Sequence, residues 1–246
     1  MQIIPLSEGV FTIDKTKIFV PFDLNADDLQ KRPVGSLLVE VQPFVVITAS
    51  DILLLDAGLG FSKQGVLQIH ANLKEHNILP GDITKVLMTH LHKDHAGGVS
   101  MKDRLGNFIP AFPSATYYVQ QRELNFAIDT GFPSYMTEEI SFLDNNRQVV
   151  LLRNDKGVID DYIHYEVTAA HCPYHQVFWI YADDEILFFG GDDAPQLQQM
   201  KSRFIAKYDY NGKKCMELRQ QWWQEGKEKH WTFLFYHDVK TPFYKG

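Results

Sequence analysis

Residues 86–100, VLMTHLHKDHAGGVS, gather three histidines and one aspartate directly after an apolar run. His90 and His92 are two positions apart, so in an extended segment both imidazoles point to the same side and can reach one ion. After a turn, Asp94 and His95 can face a second position nearby. Imidazole nitrogens and carboxylate oxygens suit zinc, which usually takes four ligands. One ion would leave part of this group unused, so the pattern favours two ions.

Further histidines and aspartates stand directly after predicted strands elsewhere in the chain. They are His171 and His175 after the strand 164–168, Asp192 and Asp193 after the strand 186–189, and His237 after the last predicted strand. A single aspartate at a strand end usually forms a turn or caps a helix, so the joint order of these residues carries the argument. The sequence therefore predicts that several strand ends deliver ligands to one metal centre.

The elements that must position these residues are strands in both halves of the chain with helices between them. Strands are predicted at 85–88, 116–119, 149–152, 164–168, 177–182, 186–189 and 232–236, after runs within 36–56 that are predicted to form hairpins. Helices are predicted at 64–77 and 120–128, then around Leu197, Met200, Phe204 and Ile205, and around Cys215, Leu218, Trp222 and Trp223. This order predicts an α/β fold with a two-layered β core and outer helices. No repeat or linker divides residues 1–246, so we expect one domain.

Composition and charge narrow the functional classes. The 246 residues are 45% hydrophobic and 22% charged, with a formal charge of −7, which disfavours a nucleic-acid partner. Two cysteines, Cys172 and Cys215, form no disulfide framework. No apolar run approaches the length of a membrane span, and the N-terminus lacks a signal-peptide pattern. We therefore expect a cytoplasmic protein that acts on a small molecule without a membrane partner.

The combined motif resembles that of the metallo-β-lactamase superfamily. His90, His92, Asp94 and His95 match its His-x-His-x-Asp-His motif, and Asp56 in LLLDAGLG matches the Asp-x-Gly motif that precedes it. His171, Asp192 and His237 match the later metal residues, so the resemblance covers nearly the whole chain. It implies a four-layer αββα sandwich with the metal site at one edge.

The resemblance also implies a role for each matched residue. His90, His92 and His171 would hold the first ion, Asp94, His95 and His237 the second, and Asp192 would bridge them. Asp56 would orient a ligand histidine through its other ring nitrogen, and His175 would be a second-layer or structural residue. Zinc is the first choice of metal, and iron, manganese or cobalt suit the same ligands.

The implied chemistry is hydrolysis. Two ions roughly 3.5–4 Å apart can share a bridging water, lower its pKa towards ~7 and stabilise an oxyanion. The resulting hydroxide is the expected nucleophile. Asp94 is the catalytic candidate, either as a proton acceptor or relay, or purely as a ligand.

The layout is most similar to N-acyl homoserine lactonases, including the segment PAFPSATYYVQQRELNFA. This favours a lactone or ester substrate; the alternatives are a phosphotriester or another substrate of this superfamily, or a non-catalytic metal-binding role. The lactonases carry a tyrosine three residues after the bridging aspartate, where this chain has Pro195, and Tyr174 is a candidate replacement. The candidates for an apolar entrance are Phe19, Phe22, Phe108, Phe112, Phe132, Tyr135 and Met136. The Trp222–Trp223 pair belongs either to the core or to a homodimer interface.

Overall fold

The computed structural model describes all 246 residues. Its strands are β1 (Gln2–Pro5), β2 (Gly9–Ile13), β3 (Val20–Pro21), β4 (Leu37–Val41), β5 (Phe44–Ile47), β6 (Ile52–Leu55), β7 (Ser62–Lys63), β8 (Val66–Leu67), β9 (Lys85–Leu87), β10 (Ser100–Lys102), β11 (Phe108–Pro110), β12 (Thr116–Gln120), β13 (Val149–Leu152), β14 (Lys156–Ile159), β15 (Ile163–Val167), β16 (Gln176–Ala182), β17 (Glu185–Phe189), β18 (Thr232–Leu234) and β19 (Phe243–Lys245). Its helices are α1 (Gln68–Glu75), α2 (Lys93–Ala96), α3 (Gln121–Thr130), α4 (Thr137–Ile140), α5 (Leu197–Met200) and α6 (Gly212–Glu228).

Two six-stranded sheets form the centre of the molecule. The first has the order β1-β5-β6-β9-β12-β13, and the second has the order β14-β15-β16-β17-β18-β19. A three-stranded sheet, β3-β2-β4, and two hairpins, β7-β8 and β10-β11, complete the strands. No helix has the length and apolar character required to cross a bilayer.

Alternation along the strands of the first sheet separates its two faces. Phe44 and Val46 of β5 belong to the core between the two sheets, whereas Val45 between them packs in the core on the opposite side. The second sheet contributes Leu187 and Phe189 of β17 to the core between the sheets, where the Phe189 ring lies 6.0 Å from that of Phe44. Successive side chains of a strand point to opposite faces, so each sheet buries apolar residues on both sides.

Helices cover the two outer faces. Ile69 and Leu73 of α1 and Leu124 of α3 pack in the core outside the first sheet. Trp222 of α6 packs outside the second sheet, where its ring lies 4.9 Å from that of Phe188. The result is helix, sheet, sheet, helix, which confirms the predicted four-layer αββα sandwich.

Strand direction brings the predicted ligands to one edge. In the first sheet β6 and β9 run parallel, so the chain leaves both strands on the same side. In the second sheet β17 and β18 run parallel. Because β15 and β17 are both antiparallel to β16, β15 leaves the sheet on that side as well. The segments that follow these strands therefore meet.

Three predictions about the C-terminal third need correction or refinement. The helix expected around Phe204 and Ile205 ends at Met200, and both residues lie exposed in a loop. Arg219 of α6 donates a hydrogen bond of 2.6 Å to the Phe204 carbonyl oxygen, which takes that group away from helix bonding. The predicted last strand is followed by a further one, β19, which pairs with it. Trp222 is buried and Trp223 packs against Phe233 within the chain, which favours the core alternative.

Candidate metal centre

The structure brings all seven predicted ligands together. His90 and His92 follow β9, Asp94 and His95 lie in α2, His171 follows β15, Asp192 follows β17 and His237 follows β18. They form two groups that could each hold an ion, with the potential ligand atoms of each group within 4.8 Å of one another. The first group is His90, His92, His171 and Asp192, and the second is Asp94, His95 and His237.

The first group points its nitrogens at a common centre. His92 Nδ1 lies 2.9 Å from His90 Nε2 and 3.2 Å from His171 Nε2. Asp192 Oδ2 lies 3.2 Å from His171 Nε2. Three ring nitrogens and one carboxylate oxygen thus converge, which is the donor number of a tetrahedral zinc site.

Asp192 also reaches the second group through its other oxygen. Oδ1 lies 3.1 Å from His95 Nε2 and 3.0 Å from His237 Nε2. Asp94 Oδ2 lies 3.5 Å from His237 Nε2 and 3.8 Å from His95 Nε2. The two oxygens of one carboxylate therefore face different groups.

Hydrogen bonds on the outer side fix the ring tautomers. The pairs are His90 Nδ1 with Thr89 Oγ1 at 3.0 Å, His95 Nδ1 with Asp56 Oδ2 at 2.8 Å, His171 Nδ1 with Asp209 Oδ1 at 2.9 Å, and His237 Nδ1 with the Glu40 carbonyl oxygen at 2.6 Å. Carboxylate and carbonyl oxygens can only accept hydrogen bonds. The Thr89 hydroxyl donates its proton to Asp56, so it can only accept from His90. Each of the four Nδ1 atoms therefore donates. Each neutral ring then directs an Nε2 lone pair inwards, as metal ligation requires.

Buried atoms without hydrogen-bond partners support the fit to metal ions. His95 Nε2 and Asp192 Oδ1 are both buried and make no hydrogen bond. Converging lone pairs and a buried carboxylate repel one another unless a cation lies between them. The donor set therefore fits divalent cations at both groups.

In the metal-free chain, protons take over part of this role. Burial opposes charge on His95, but Asp192 and Asp94 outweigh it and raise its pKa well above the usual value. Asp192 likewise overcomes the effect of burial on His171 and His237 and raises the pKa of both. Burial also favours the neutral form of Asp192, yet the surrounding histidines, His237 first, lower its pKa well below the usual range. Metal ions must therefore displace protons.

Asp56 joins the loop after β6 to the ligand-bearing segment after β9. Besides His95, it accepts hydrogen bonds from the Thr89 backbone N–H at 2.8 Å and from Thr89 Oγ1 at 2.7 Å. Its backbone has a φ of 54°, a left-handed conformation that is uncommon outside glycine. Asp56 is fully buried. It contacts the ring nitrogen of His95 that points away from the metal site, which is the position expected from the sequence.

The glycines after the motif allow the two loops to approach closely. A Cβ atom at Gly98 would lie 2.1 Å from the Ala57 carbonyl oxygen, and one at Gly97 would lie 2.3 Å from the Leu59 backbone. Only glycine fits at either position. The DAGLG loop can thus support α2, which carries Asp94 and His95.

A second carboxylate layer supports the ligands from the other sheet. His175 Nε2 accepts a hydrogen bond of 3.2 Å from the Asp192 backbone N–H, and its Nδ1 lies 3.1 Å from Asp193 Oδ2. Asp193 Oδ1 also accepts a hydrogen bond of 2.7 Å from the His171 backbone N–H. His175 therefore contacts a predicted ligand from behind. The supporting roles of Asp193 and Asp209 were not predicted from the sequence. Asp193 had a signal, its position beside Asp192, whereas Asp209 had none.

Cys172 and Glu123 lie behind the site on the side of α3. The Cys172 thiol donates to Glu123 Oε2 at 3.4 Å, and the Leu91 backbone N–H donates to Glu123 Oε1 at 3.1 Å. Burial raises the pKa of both the carboxyl and the thiol. Glu123 thus links the segments that carry His92 and His171.

A cavity of about 630 Å³ opens onto the ligand groups. Its floor contains His92, Asp94, His171, Asp192 and His237. Its wall, called the cavity wall below, comes from three segments, residues 13–19, 35–39 and 195–208, which include Ile13, Phe19, Leu38, Val39, Phe204 and Tyr208.

The aromatic residues of the cavity differ from those expected. Phe19 lines it, but Phe22 and Tyr174 do not. The Tyr174 ring lies beside α3, 6.0 Å from the ring of Phe126 and 5.2 Å from the Arg122 guanidinium. Phe112 and Tyr135 are buried in the core outside the first sheet. The phenol that faces the cavity belongs to Tyr208, whose ring lies 6.2 Å from that of His171.

Comparison with known families agrees with the fold and the site. The family model of the metallo-β-lactamase superfamily matches residues 39–199, about two thirds of the chain. The chain therefore belongs to the metallo-β-lactamase superfamily. No curated protein sequence matches it. The family match and the His/Asp cluster together support a metal-dependent hydrolase.

Several solved structures share the fold at low sequence identity. One, described as a probable metal-dependent hydrolase from Staphylococcus aureus, is 23% identical with a TM-score of 0.78, over 99% of this chain and 91% of that chain. The hydrolase AbOPH is 21% identical with a TM-score of 0.74, over 99% and 89%. AidC, a dizinc quorum-quenching lactonase solved with the product N-hexanoyl-L-homoserine, is 14% identical with a TM-score of 0.72, over 98% and 88%.

Proposed function

We propose that this chain is a dinuclear metal-dependent hydrolase that opens a lactone or ester. The observation that carries the proposal is the Asp192 carboxylate, whose Oδ2 faces His171 and whose Oδ1 faces His95 and His237. One carboxylate placed between two histidine groups suits a pair of ions better than a single ion.

The ligand roles follow from the two groups. His90, His92 and His171 would hold one ion, Asp94, His95 and His237 the other, and Asp192 both. Nitrogen and oxygen donors without a thiolate favour zinc, and iron, manganese or cobalt suit the same set. Cys172 is excluded as a ligand by its contact with Glu123.

Divalent ions at these positions supply the positive charge that activates water and stabilises an oxyanion. The protein's own residues then handle protons and orientation. Asp94 faces the cavity and can accept a proton from the attacking water. Burial raises the pKa of the Tyr208 hydroxyl, with Asp209 and Asp192 adding to the effect, so the phenol stays protonated and can donate a hydrogen bond to a substrate oxygen.

The cavity wall favours a lactone or ester over larger substrates. Its volume of about 630 Å³ suits a small molecule, and Phe19, Leu38 and Val39 offer apolar surface beside the ligands. Lactonases with the same fold, among them an N-acyl homoserine lactone hydrolase solved with N-hexanoyl-L-homoserine, add support for this substrate class. The open cavity also favours catalysis over a purely structural metal site, because structural zinc sites are usually closed.

The test is turnover by protein loaded with two zinc ions on a panel of lactones, simple esters and phosphotriesters. Lactone or ester turnover is expected in the parent and in Asp129→Ala, a control at an exposed position of α3. Asp192→Ala should lose turnover while keeping its fold by circular dichroism. Full activity in Asp192→Ala would contradict the assignment of Asp192 as a metal ligand. Turnover of phosphotriesters but of no lactone or ester would show that the substrate is a phosphotriester.

A further inference from the structure

Positive charge is concentrated in the cavity although the chain as a whole is acidic. Lys15, Lys17, Lys93 and Lys207 all line the cavity. Outside the metal-ligand groups, Asp14 is the only acidic residue that lines it. The chain has a formal charge of −7, so this local excess of lysine opposes the overall balance. A cleft lined by one sign of charge attracts ligands of the opposite sign.

None of these lysines is neutralised by an ion pair. The lysines that do form ion pairs are Lys85, Lys156, Lys213, Lys229 and Lys245, none of which lines the cavity. Asp14 is held instead by Thr16, whose backbone N–H donates to its carboxylate at 2.9 Å. The ammonium groups in the cavity therefore remain available to a ligand.

Lys17 and Lys93 are the best placed of the four. Both are half-buried, whereas Lys15 and Lys207 are exposed. Lys93 stands between His92 and Asp94 at the cavity floor, and its Nζ lies 5.9 Å from the centre of the Phe19 ring on the wall. Lys17 belongs to the wall segment 13–19, so both ammonium groups line one cavity together with the metal ligands. An anion bound beside those ligands would be attracted by both ammonium groups.

We propose that the substrate carries an anionic group, a carboxylate or a phosphate, beside the ester or lactone bond, and that Lys93 and Lys17 bind this group. The inference rests on the proposed function, since it names the substrate class for the same site. It narrows the lactones and esters to anionic ones and disfavours neutral N-acyl homoserine lactones. Lysine suits either anion because its ammonium acts as a point charge.

The experiment compares γ-butyrolactone-3-carboxylate with the neutral γ-butyrolactone-3-carboxamide on zinc-loaded protein. We expect kcat/KM to be at least about tenfold higher for the carboxylate, as a charge-assisted contact allows. Lys93→Met should remove most of this preference, Lys17→Met should reduce it, and Lys93→Arg should retain it. Lys63→Met, at an exposed site outside the cavity, is the matched control. Metal content is measured for every variant to separate anion binding from loss of ions.

A second readout does not depend on turnover. Calorimetry measures the binding of succinate, inorganic phosphate and neutral succinamide to the zinc-loaded parent and to Lys93→Met. Tighter binding of succinate or phosphate than of succinamide, weakened about tenfold in Lys93→Met at equal metal content, supports the inference, and the tighter anion identifies the group. If Lys93→Met binds the anions as tightly as the parent does, the metal ions alone account for the binding, and the inference is overturned.

The two proposals fail in different ways. Equal kcat/KM for the carboxylate and the carboxamide, with Asp192→Ala inactive, overturns the anion site and leaves the hydrolase intact. Absence of turnover on every ester and lactone, together with Lys93-dependent binding of succinate or phosphate, overturns the reaction and leaves the anion site intact.

Discussion

The floor of the cavity and the cavity wall are built from different kinds of structure. The floor follows strand ends of both sheets, and its residues His171 and His237 are held by further hydrogen bonds to Asp209 and the Glu40 carbonyl oxygen. Two parts of the wall, residues 14–19 and 201–208, contain neither helix nor strand, and several of their side chains are exposed. A rigid floor fixes the reaction, whereas an irregular wall can change the substrate without disturbing the metal site. Changes in the floor should therefore affect every substrate equally, and changes in the wall should alter the ranking among substrates.

The largest expected effect belongs to the floor residue Asp94. Asp94→Asn should lower kcat by about 10²–10⁴-fold for every substrate, because an amide cannot accept the proton that the carboxylate accepts. The measurement is kcat on two unrelated substrates, with metal content as the control. If kcat fell for only one of the two substrates, Asp94 would determine substrate choice, as wall residues are expected to do, and not the common proton transfer.

A smaller effect is expected one layer behind the floor. Asp56→Asn should weaken metal affinity by roughly 10–100-fold, since the amide lacks the negative charge and has one accepting oxygen for the donors of His95 and Thr89. Asparagine tolerates the left-handed backbone at this position, so the fold should persist. Competition with a chelator measures the affinity. Asp129→Asn is the surface control, and an Asp56→Asn protein with parental affinity would show that charge behind the ligands is unimportant.

The pH dependence of stability should change when metal is removed. In the metal-free chain His95, His171 and His237 have raised pKa values, so their pairing with Asp192 stabilises the fold below pH ~6.5 and is lost as the pH rises through the raised values. Burial lowers the pKa values of His90 and His92, so these two act in the opposite sense and destabilise the fold as the pH falls below ~6.5. The lowered pKa of Asp192 adds stability above pH ~4, which is lost as the pH falls through its folded value. With metal bound, stability should instead rise above pH ~6.5, because the ions need deprotonated histidines.

Thermal unfolding between pH 5 and 9, with and without a chelator, measures this change. Asp192→Asn in the metal-free form should show a flatter profile, since the raised histidine pKa values depend on that carboxylate. Parallel profiles with and without metal would contradict the assignment of these histidines as ligands.

The junction between floor and wall is tested at Tyr208. Tyr208→Phe should lower kcat roughly tenfold or more for esters and lactones if the phenol holds a substrate oxygen. KM should change little, because the aromatic ring remains. Tyr174→Phe is the matched control, as its ring packs outside the cavity. Equal effects of the two substitutions would remove Tyr208 from the mechanism.

The smallest effect is expected on the wall itself. Phe204→Ala should change KM only a few-fold, and by different factors for short and long acyl chains, because it removes apolar contact area without touching the ligands. Comparing kcat/KM across an acyl series gives the measurement. Equal changes along the whole series would show that Phe204 does not contact the acyl chain.

The sequence predicted the floor better than the wall for a physical reason. The ligand side chains follow regular strands, so short spacings and strand ends were enough to locate them. Asp209 lies 38 positions from His171 in a loop without a motif, and no local pattern marks its contact. Phe204 carries an apolar spacing that suits a helix, but Arg219 binds its carbonyl oxygen and the helix ends earlier. The prediction that Tyr174 faces the substrate was wrong, because its ring packs against Phe126 of α3 and no local pattern indicates that contact.

The ligands come from both sheets, so ions at this site act as cross-links along the chain. His92 and His171 are 79 positions apart, and an ion that holds both joins distant segments of the folded chain. The unfolded chain does not hold these ligands together, so the ion binds the folded state and stabilises it by mass action, in a protein whose two cysteines are free. Metal at about 100 times its dissociation constant adds about 2.7 kcal/mol per site to the free energy of unfolding. Metal supply would then set the lifetime of the folded protein as well as its turnover.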